Sequence, residues 1–304
     1  MCALISICIP AYKQPQFLRT CLQSIAQQTY KQVEVIITDD SPDTSVKVIA
    51  DEFKSVLNLQ YFKNEAPLGP PANWNEAIKK ASGTYFMLLH HDDKLSTEHS
   101  LEKYLQPFLK DPTVDFVFGR NVTIDKMTSG AFDHHHFNSY YKNPYLLIAR
   151  QTIGPPSNLM LKRSIPELYD VRYKWVVDID YYFRLFKGGR KFYYVDEHLI
   201  GVGIHADQVT NDCITNPDVL IYENVSFAVD HLQKINSIVV FDFYWRLLRN
   251  NGVRSLQQVT SLGIAQSSIP KFIKTIVGFQ KRLPKGLNKG ALSKLFMSLA
   301  YASR

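Results

Sequence analysis

Residues 4–43 read LISICIPAYKQPQFLRTCLQSIAQQTYKQVEVIITDDSPD, and their pattern is typical of one class of fold. Residues 4–9 and 33–38 form two apolar runs rich in β-branched side chains, which predict buried strands. Between them, apolar residues recur at helical spacing from Phe17 to about Gln28. A strand, a helix and a second strand in this order predict a parallel β-α-β unit.

The same alternation of strand and helix continues through the first hundred residues. The spacing of apolar residues predicts further strands at 59–62 and 85–89 and helices at 46–53 and 73–81, with a Pro/Gly loop at 64–71. We therefore expect an α/β fold with a mixed, mostly parallel central sheet flanked by helices.

The pattern loosens in the second half of the chain. The expected features are a strand at 114–118, a polar loop holding the histidines 134–136, a strand after residue 153, a helix beginning near Asp178 and a strand ending at His205. Residues 217 to 304 predict helices. We divide the chain into an α/β domain at 1–215, with halves at 1–112 and 113–215, and a basic, helical C-terminal extension at 216–304.

Composition excludes several classes of protein. The 304 residues are 45% hydrophobic and 21% charged, which excludes disordered and low-complexity chains. The four cysteines form no CxxC pair, so we expect reduced thiols. The apolar N-terminus has no basic leader and predicts a buried strand, and no apolar run reaches the ~18 residues that cross a bilayer. We expect a cytoplasmic protein, peripheral to the inner face of the membrane at most.

The net charge of +7 is concentrated near the end of the chain. After Asp242 there are 11 Lys or Arg residues and no acidic residue, which favours an anionic partner. The segment has no nucleic-acid recognition motif, so we expect no nucleic acid. Residues 271–283, KFIKTIVGFQKRL, predict an amphipathic helix. It either lies on an anionic membrane or packs against the protein with its basic face in water.

Two common cofactor motifs are missing. The first predicted strand is followed by PAYKQPQ, whereas a dinucleotide-binding fold needs GxGxxG there. No GxxxxGK[ST] loop occurs either. A nicotinamide or flavin enzyme and a P-loop NTPase are therefore not expected.

Acidic residues follow two of the predicted strands. Asp39 and Asp40 end the second strand, and Asp92 and Asp93 follow the fourth. Ligands of open α/β sheets bind at the carboxyl ends of strands. Adjacent carboxylates repel each other unless a cation neutralises them, and Mg²⁺ or Mn²⁺ typically binds through such groups together with substrate phosphates. A helix cap or solvated turn is the alternative reading of each pair.

Taken together, these segments resemble the family 2 glycosyltransferases, which have the GT-A fold. The resemblance rests on ISICIPAYKQPQFLRTCLQSIAQQTY, VEVIITDDSPD and ASGTYFMLLHHDDKLS and covers about residues 3–212. It implies a metal-dependent, inverting transfer of sugar from a nucleotide-diphosphate donor, with a UDP-sugar favoured. The implied acceptor is a hydroxyl of a glycan or lipid-linked glycan in capsule, O-antigen or exopolysaccharide synthesis.

The resemblance also assigns the donor site. The nucleotide-sugar would be bound by Pro10, Ala11, Tyr12, Asp39, Asp40, Asn73, His90 and Asp92. The metal, Mn²⁺ or Mg²⁺, would be held by Asp92, Asp93 and His205. A contact with the diphosphate and a packed core histidine are the alternatives for His205. One departure is that His90 stands where the family's DxD motif has its first aspartate. This HHDD variant belongs to a subgroup that also carries an NWN element, here Asn73, Trp74 and Asn75.

The general base is assigned in the same way. VVDIDYYFRL at 176–185 matches the family pattern xDxDxxxRL, which makes Asp178 the expected base and Asp180 the runner-up. We expect the helix dipole to lower the pKa of such a carboxylate. An N-cap without chemistry is the alternative. The resemblance places Pro156, Ser157 and Arg184 on the acceptor side.

Two other functions remain open at this point. A sugar nucleotidyltransferase also needs a metal and a nucleotide pocket, but normally shows a Gly-rich basic loop after its first strand, which is absent. A non-catalytic, nucleotide-sugar-binding relative would keep the fold, and the His90 substitution is the feature that supports it.

Overall fold

The computed structural model describes residues 3–123, 134–206, 208–284 and 290–304. The chain forms two compact units. The first contains residues up to 142 together with 152–172 and 181–206, and the second contains 143–151, 173–180 and 207–304. The second unit thus combines residues 207–304 with two short segments from earlier in the chain. The domain boundary after residue 215 stays a prediction.

The first unit is built on one eight-stranded sheet. Its strands are β1 Ile5–Ala11, β2 Val33–Asp39, β3 Leu59–Lys63, β4 Tyr85–Leu88, β5 Lys94–Leu95, β6 Phe116–Thr123, β7 Leu159–Lys162 and β8 Phe192–Val202. Their order is β3-β2-β1-β4-β7-β6-β8-β5. The pairs β1–β2, β1–β4, β2–β3 and β6–β8 are parallel, and the others are antiparallel. The expected mixed sheet of an α/β fold is confirmed.

Helices flank this sheet. They are α1 Pro15–Ala26, α2 Ser45–Phe53, α3 Pro70–Lys80, α4 Ser100–Lys110 and α5 His134–Lys142. All seven residues of β1 are buried because the strand lies inside the sheet. Ile5, Ile7 and Ile9 join one core with the buried residues of α1 and α2. On the other side, the Cys8 thiol donates to the Ala77 carbonyl of α3 at 3.5 Å.

Three local predictions about this unit differ from the structure. The strand β1 continues through Pro10, because the parallel register with β2 runs on to the pair Ala11 and Asp39. The helix α3 begins at Pro70, inside the predicted loop, since proline suits the first turn of a helix. The histidines 134–136 were expected in a loop and instead begin α5, where the His136 ring lies 2.8 Å from the Thr152 hydroxyl.

The second unit is helical. Its helices are α7 Val209–Ile214, α8 Pro217–His231, α9 Ile238–Asn250, α10 Leu256–Thr260, α11 Lys271–Arg282 and α12 Gly290–Ala302. The helix α6, Val177–Lys187, begins in this unit and continues into the first. None of the helices in the described ranges combines the length and hydropathy needed to cross a bilayer.

The apolar face of α11 packs within the second unit. Phe272, Ile273, Ile276 and Val277 are buried, and the Phe272 ring lies 5.3 Å from the ring of Tyr244 in α9. Of the two alternatives that the sequence left open, this burial agrees with the packed helix that keeps its basic face in water. The amphipathic sequence of α11 suits a membrane surface as well as a protein core. The distinction depends on the position of α9, which local sequence does not reveal.

We expect the buried Glu34 of β2 to stabilise the fold. Its carboxylate accepts hydrogen bonds from the Ser6 hydroxyl and from the backbone of Ser82 and Gly83. Glu34→Gln places an amide against these donors, and we expect the free energy of unfolding to fall by about 1–3 kcal/mol. Urea denaturation at pH 7 measures this loss. Glu65→Gln, at an exposed site, is the control and is expected to change nothing.

The effect has a defined pH dependence. Burial acts to raise the pKa of Glu34, but its hydrogen bonds lower the pKa by more, so the folded value lies below the usual one. This stabilisation is present above the unfolded pKa of about 4.3 and is lost as the pH falls through the folded value. The difference between the wild type and Glu34→Gln should therefore shrink on acidification. A difference that grows towards low pH would contradict this assignment.

Candidate active site

Three neighbouring parallel strands, β2, β1 and β4, end at one edge of the sheet. The loop after β1 is tied to the loop after β2, because the Lys13 amide donates to the Ser41 hydroxyl at 2.6 Å. Lys13 and Gln14 both adopt positive φ angles, of 55° and 52°. Such backbone is uncommon for residues other than glycine and often occurs at functional sites. Nothing in the sequence signals this turn.

The carboxylates after β2 are both buried and hydrogen-bonded. Asp39 accepts from the Ser41 amide, the Tyr61 hydroxyl and the Lys63 ammonium, the last at 3.2 Å. Asp40 accepts from the Asn64 side chain at 2.6 Å.

Asp40 also accepts from the backbone of the next loop. The amides of Leu68 and Gly69 donate to its two oxygens at 3.1 and 2.9 Å. Asp40 therefore orders residues 64–69, the loop that precedes α3. Its expected contact with a nucleotide base stays a prediction, and that contact would share an oxygen that already accepts hydrogen bonds.

The NWN element in α3 links these loops to the fourth strand. Asn73 donates to the Thr38 carbonyl at 3.2 Å. The Trp74 ring lies 4.7 Å from the His90 ring, and Asn75 exchanges two hydrogen bonds with the backbone of Tyr169. The three residues thus hold β2, the histidine after β4 and a later loop.

Three possible metal ligands form a cluster just after β4 in the chain. One side-chain ligand atom from each of His90, Asp92 and Asp93 lies within 4.8 Å of the others. Asp93 is 3% exposed, and its two oxygens accept from the Ser157 hydroxyl at 2.5 Å and the Gly203 amide at 3.0 Å. Ser157 in turn accepts from the His90 amide at 3.0 Å. A single buried hydroxyl therefore orients two members of the cluster.

His205 contacts the same cluster. Its Nε2 lies 3.0 Å from Asp92 Oδ2, and its ring lies 4.8 Å from the Phe17 ring. The sequence names His205 as a metal ligand beside Asp92 and Asp93, whereas His90 is the third member of the cluster in the structure. A metal contact by His205 stays a prediction. In the structure the His205 imidazole is within hydrogen-bond distance of the Asp92 carboxylate.

Burial governs the electrostatics of the cluster. It lowers the pKa of His90 to about 4, so the imidazole is neutral at physiological pH. Burial and the adjacent Asp92 raise the pKa of Asp93 to about 8. Burial on its own would raise the pKa of Asp92. The opposing effects of His91, His90 and the hydrogen bond with His205 are larger, so the pKa of Asp92 lies below its usual range.

These residues fit a divalent cation. The Nε2 atom of His90 is buried and has no hydrogen-bond partner among the described residues, and the Nδ1 atom of the same ring lies 3.8 Å from Asp93 Oδ2. Neutral imidazole and carboxylate oxygens together form a donor set suited to Mn²⁺ and related ions. A positive ion would also offset the repulsion that raises the pKa of Asp93. This donor set includes His90 beside Asp92 and Asp93, whereas the sequence names His205 as the third ligand.

Asp178 lies in the first turn of α6, in the second unit. Its carboxylate accepts from the Gln151 side chain at 2.8 Å and from the Ile179 amide at 2.8 Å. Burial raises the pKa of Asp178 in spite of these hydrogen bonds. The expected lowering by the helix dipole is therefore wrong in direction, because the loss of hydration outweighs it. A raised pKa brings a carboxylate nearer to the range of a general base.

Asp180, the runner-up, has a different environment. It is 1% exposed, and one oxygen lies 2.8 Å from the Nε2 of His231 in α8. Asp178 is partly exposed and has no such ion pair among the described residues. Asp178 and Asp180 occupy similar positions in the sequence motif. In the structure they differ in solvent exposure and in hydrogen-bond partners.

Sequence reasoning missed Glu223, a buried residue of α8. Its carboxylate accepts from three successive backbone amides, those of Lys174, Trp175 and Val176, at 2.7 to 3.1 Å. These amides lead directly into α6, where a helix has unsatisfied N–H groups. A glutamate in the middle of a helix gives no sequence signal of such a role.

The remaining predicted residues lie in varied surroundings. Pro10, Ala11, Pro156 and Ser157 are buried, whereas Tyr12 is 49% exposed at the edge of the sheet. Arg184 donates to the Leu168 carbonyl at 2.7 Å. An acceptor contact by Pro156, Ser157 or Arg184 stays a prediction.

Comparisons with known proteins agree with this architecture. The model of a family described as Glycosyl transferase family 2 matches residues 6–168. An uncharacterised glycosyltransferase of Rickettsia prowazekii is 29% identical over 221 residues, which cover 69% of this chain and 67% of that protein. A poly(ribitol-phosphate) beta-glucosyltransferase of Bacillus spizizenii is 32% identical over 122 residues, covering 38% and 19% of the two chains.

Solved structures share the fold. TarS 1–349 of S. aureus, in complex with UDP-GlcNAc, has a TM-score of 0.67 and 17% identity, with coverage of 98% of this chain and 87% of that one. The mannosyltransferase PcManGT of Pyrobaculum calidifontis, in complex with GDP-Man and Mn²⁺, has a TM-score of 0.57 and 13% identity, with coverage of 99% and 80%. At this level of identity the likeness concerns the fold, and the GT-A expectation is confirmed.

We expect Gly203 to be essential for the geometry of the cluster. A Cβ atom there would lie 2.3 Å from the Asp92 carbonyl oxygen, so Gly203→Ala forces β8 and the loop after β4 apart. The free energy of unfolding should fall by about 1–3 kcal/mol, as for other overpacked sites. Urea denaturation measures the change. The control is Gly278→Ala in α11, where a Cβ meets open space and alanine should stabilise the helix slightly. Equal effects of the two substitutions would disprove the close approach.

Proposed function

The chain belongs to glycosyl transferase family 2, and from this premise we propose that it transfers a sugar, with inversion, from a nucleoside-diphosphate donor to a hydroxyl group of a glycan. The cluster of His90, Asp92 and Asp93 at the end of β4 is the observation that carries the proposal. It offers a cation site at the sheet edge where α/β proteins bind ligands. The family assignment favours this reaction over sugar nucleotidyl transfer.

A UDP-sugar is the donor that we favour. TarS, the fold neighbour with the higher TM-score of the two described above, is known in complex with UDP-GlcNAc, whereas PcManGT is known with GDP-Man. The relative from Bacillus spizizenii is a glucosyltransferase that acts on poly(ribitol-phosphate). These likenesses support a nucleotide-sugar donor and an acceptor in surface-polymer synthesis. Tyr12, Asp40 and Asn73 are the residues that we assign to the nucleoside.

The cation would be held by His90, Asp92 and Asp93, with His205 orienting Asp92. When bound, Mn²⁺ or Mg²⁺ supplies electrostatic stabilisation of the charge on the leaving diphosphate. The protein prepares this site by holding Asp93 through Ser157 and Gly203 and by packing Trp74 on His90. These contacts fix the direction of each ligand atom before any donor arrives.

We assign the general base to Asp178. In its ionised form the carboxylate takes the proton of the acceptor hydroxyl as the oxygen attacks the anomeric carbon. The bond from that carbon to the diphosphate oxygen breaks, and the nucleoside diphosphate leaves from the opposite face. Gln151 orients one carboxylate oxygen of Asp178 and leaves the group partly exposed.

The acceptor that we propose is a glycan or lipid-linked glycan of capsule, O-antigen or exopolysaccharide synthesis. A lipid-linked acceptor would place the enzyme in the cytoplasm, at the inner face of the membrane. The surplus of basic residues after Asp242 supports this location, because the cytoplasmic leaflet carries anionic lipids.

Nucleotide binding should depend on the cation and on Asp92. Calorimetric titration of UDP, GDP and dTDP with Mn²⁺ is expected to give micromolar binding of one nucleotide, and at least about tenfold weaker binding without Mn²⁺ or in Asp92→Asn. Asp51→Asn, on the exposed face of α2, is the matched control and should bind as the wild type does. Equally tight binding by Asp92→Asn with Mn²⁺ would refute the metal assignment.

Sugar transfer should depend on Asp178 while donor binding does not. Asp178→Asn keeps the shape of the side chain and removes the basic oxygen, so we expect transfer to fall by about a hundredfold or more. Calorimetry should show unchanged affinity for the nucleotide. Asp218→Asn, at an exposed acid of α8, should transfer sugar normally. Transfer at the wild-type rate by Asp178→Asn would move the base elsewhere, with Asp180 as the next variant to measure.

The pH profile of transfer gives an independent test of the base. The ionised carboxylate is the active form, so the rate falls as the pH drops through the pKa of Asp178. Burial raises that pKa, and the acid limb should therefore lie above the ordinary aspartate value of about 3.9. Initial rates measured from pH 4 upward with a soluble acceptor locate the limb. An acid limb at or below the ordinary value would contradict the assignment.

A further inference from the structure

The helix α12 has an unusual distribution of side chains. Leu292, Leu295 and Leu299 are 47%, 55% and 50% exposed. Their spacings of three and four residues place them on one face of the helix. We call these three residues the leucine stripe. A surface helix normally turns its large apolar side chains towards the protein core. In α12 the leucine stripe instead lies on the solvent-facing side.

The orientation of α12 is fixed by polar contacts on its opposite face. Ser293, Met297 and Ala300 are buried there. The Ser293 hydroxyl is hydrogen-bonded to the Trp245 indole at 3.0 Å and the Arg249 guanidinium at 2.9 Å, both from α9. Turning the leucines inward would break these buried hydrogen bonds and expose the indole nitrogen. The stripe therefore faces outward as a consequence of the packing.

Charge identifies what covers the stripe. Residues 243–304 contain 11 basic residues and no acidic one. Lys281, Arg282 and Lys294 are exposed among them. A second copy of this segment would bring like charges together, which opposes self-association. An apolar stripe on a helix of this cationic segment is instead suited to a bilayer that contains anionic lipid.

We propose that the leucine stripe of α12 is the surface by which this protein binds an anionic membrane. The helix lies in the plane of the interface, with the leucines among the acyl chains. The long side chain of Lys294 extends to the headgroups, as lysines near an interface do. This contact is distinct from the alternative through α11, where Phe272, Ile273, Ile276 and Val277 are buried. It needs neither donor nor acceptor.

Vesicle flotation of the full chain tests the proposal. The probes are vesicles of phosphatidylcholine alone and vesicles that also contain phosphatidylglycerol. We expect binding only to the second kind. The triple variant Leu292→Ser, Leu295→Ser, Leu299→Ser should bind at least about tenfold more weakly, because three apolar side chains no longer leave water. Lys281→Gln with Arg282→Gln should also weaken binding several-fold, and high salt should do the same.

A matched control separates the stripe from exposed apolar surface in general. Val48, Val56 and Leu109 are 56%, 65% and 64% exposed in the first unit, and their triple replacement by serine should leave vesicle binding unchanged. Circular dichroism and donor binding should match the wild type in both triple variants. These two measurements show that the stripe variant has folded.

Three results would overturn the proposal. The first is equal binding of the wild type and the stripe variant to anionic vesicles. The second is binding to phosphatidylcholine that neither salt nor added phosphatidylglycerol changes. The third is a wild-type protein that does not bind vesicles and is dimeric by light scattering, together with a monomeric stripe variant. The stripe would then be an interface between copies of the chain.

Discussion

Burying two adjacent carboxylates at the end of a strand is the constraint on which the site depends. Asp92 and Asp93 are consecutive, and Asp93 is almost completely buried. Within the part of the chain that the structure describes, the partners of this pair are a hydroxyl and a backbone amide for Asp93, from Ser157 and Gly203, and an imidazole for Asp92, from His205, and none is a lysine or arginine. A fixed basic side chain would neutralise the pair permanently. The hydroxyl and amide that hold Asp93 carry no charge, so they do not take the place of an incoming cation.

The histidine that replaces the usual first aspartate changes the character of this site. Burial keeps the His90 imidazole neutral, so the site has one negative charge fewer than a site with three carboxylates. The Trp74 ring packs against His90, and the next residue, Asn75, holds Tyr169, whose ring lies 5.2 Å from Trp74. The NWN element and the HHDD variant thus form one packed unit. This contact is a physical reason for the pairing of the two motifs that the family resemblance implies.

The parallel part of the sheet could be predicted from sequence, because its strands are buried on both faces and are continuous apolar runs. The strand β2 was expected at 33–38 and is found at Val33–Asp39. The order of β5 to β8 could not be predicted in this way. The strand β5 has two residues, and it pairs with β8 more than a hundred residues later. Such pairings depend on tertiary contacts that leave no local pattern.

The candidate site divides in a similar manner. Its carboxylates stand at strand ends and could be named from the sequence, and a family resemblance gave the histidines. Their environments could not be predicted, because they depend on burial. Asp178 and Asp180 are alike in sequence, yet one is partly exposed beside Gln151 and the other is buried against His231. The outward turn of the leucines in α12 likewise follows from Ser293 and not from helical periodicity.

The hydrogen bonds of Glu223 have a consequence for dividing this protein into parts. The sequence suggests a catalytic domain that ends at residue 215, and a shortened enzyme for structural or synthetic use would be cut there. Such a cut removes α8 and leaves the amides of Lys174, Trp175 and Val176 without their carboxylate. It also removes His231 from Asp180 and Asp230 from Tyr173. The C-terminal helices therefore form the structural support of the segment at 173–180, and the smallest functional piece of this chain must retain α8.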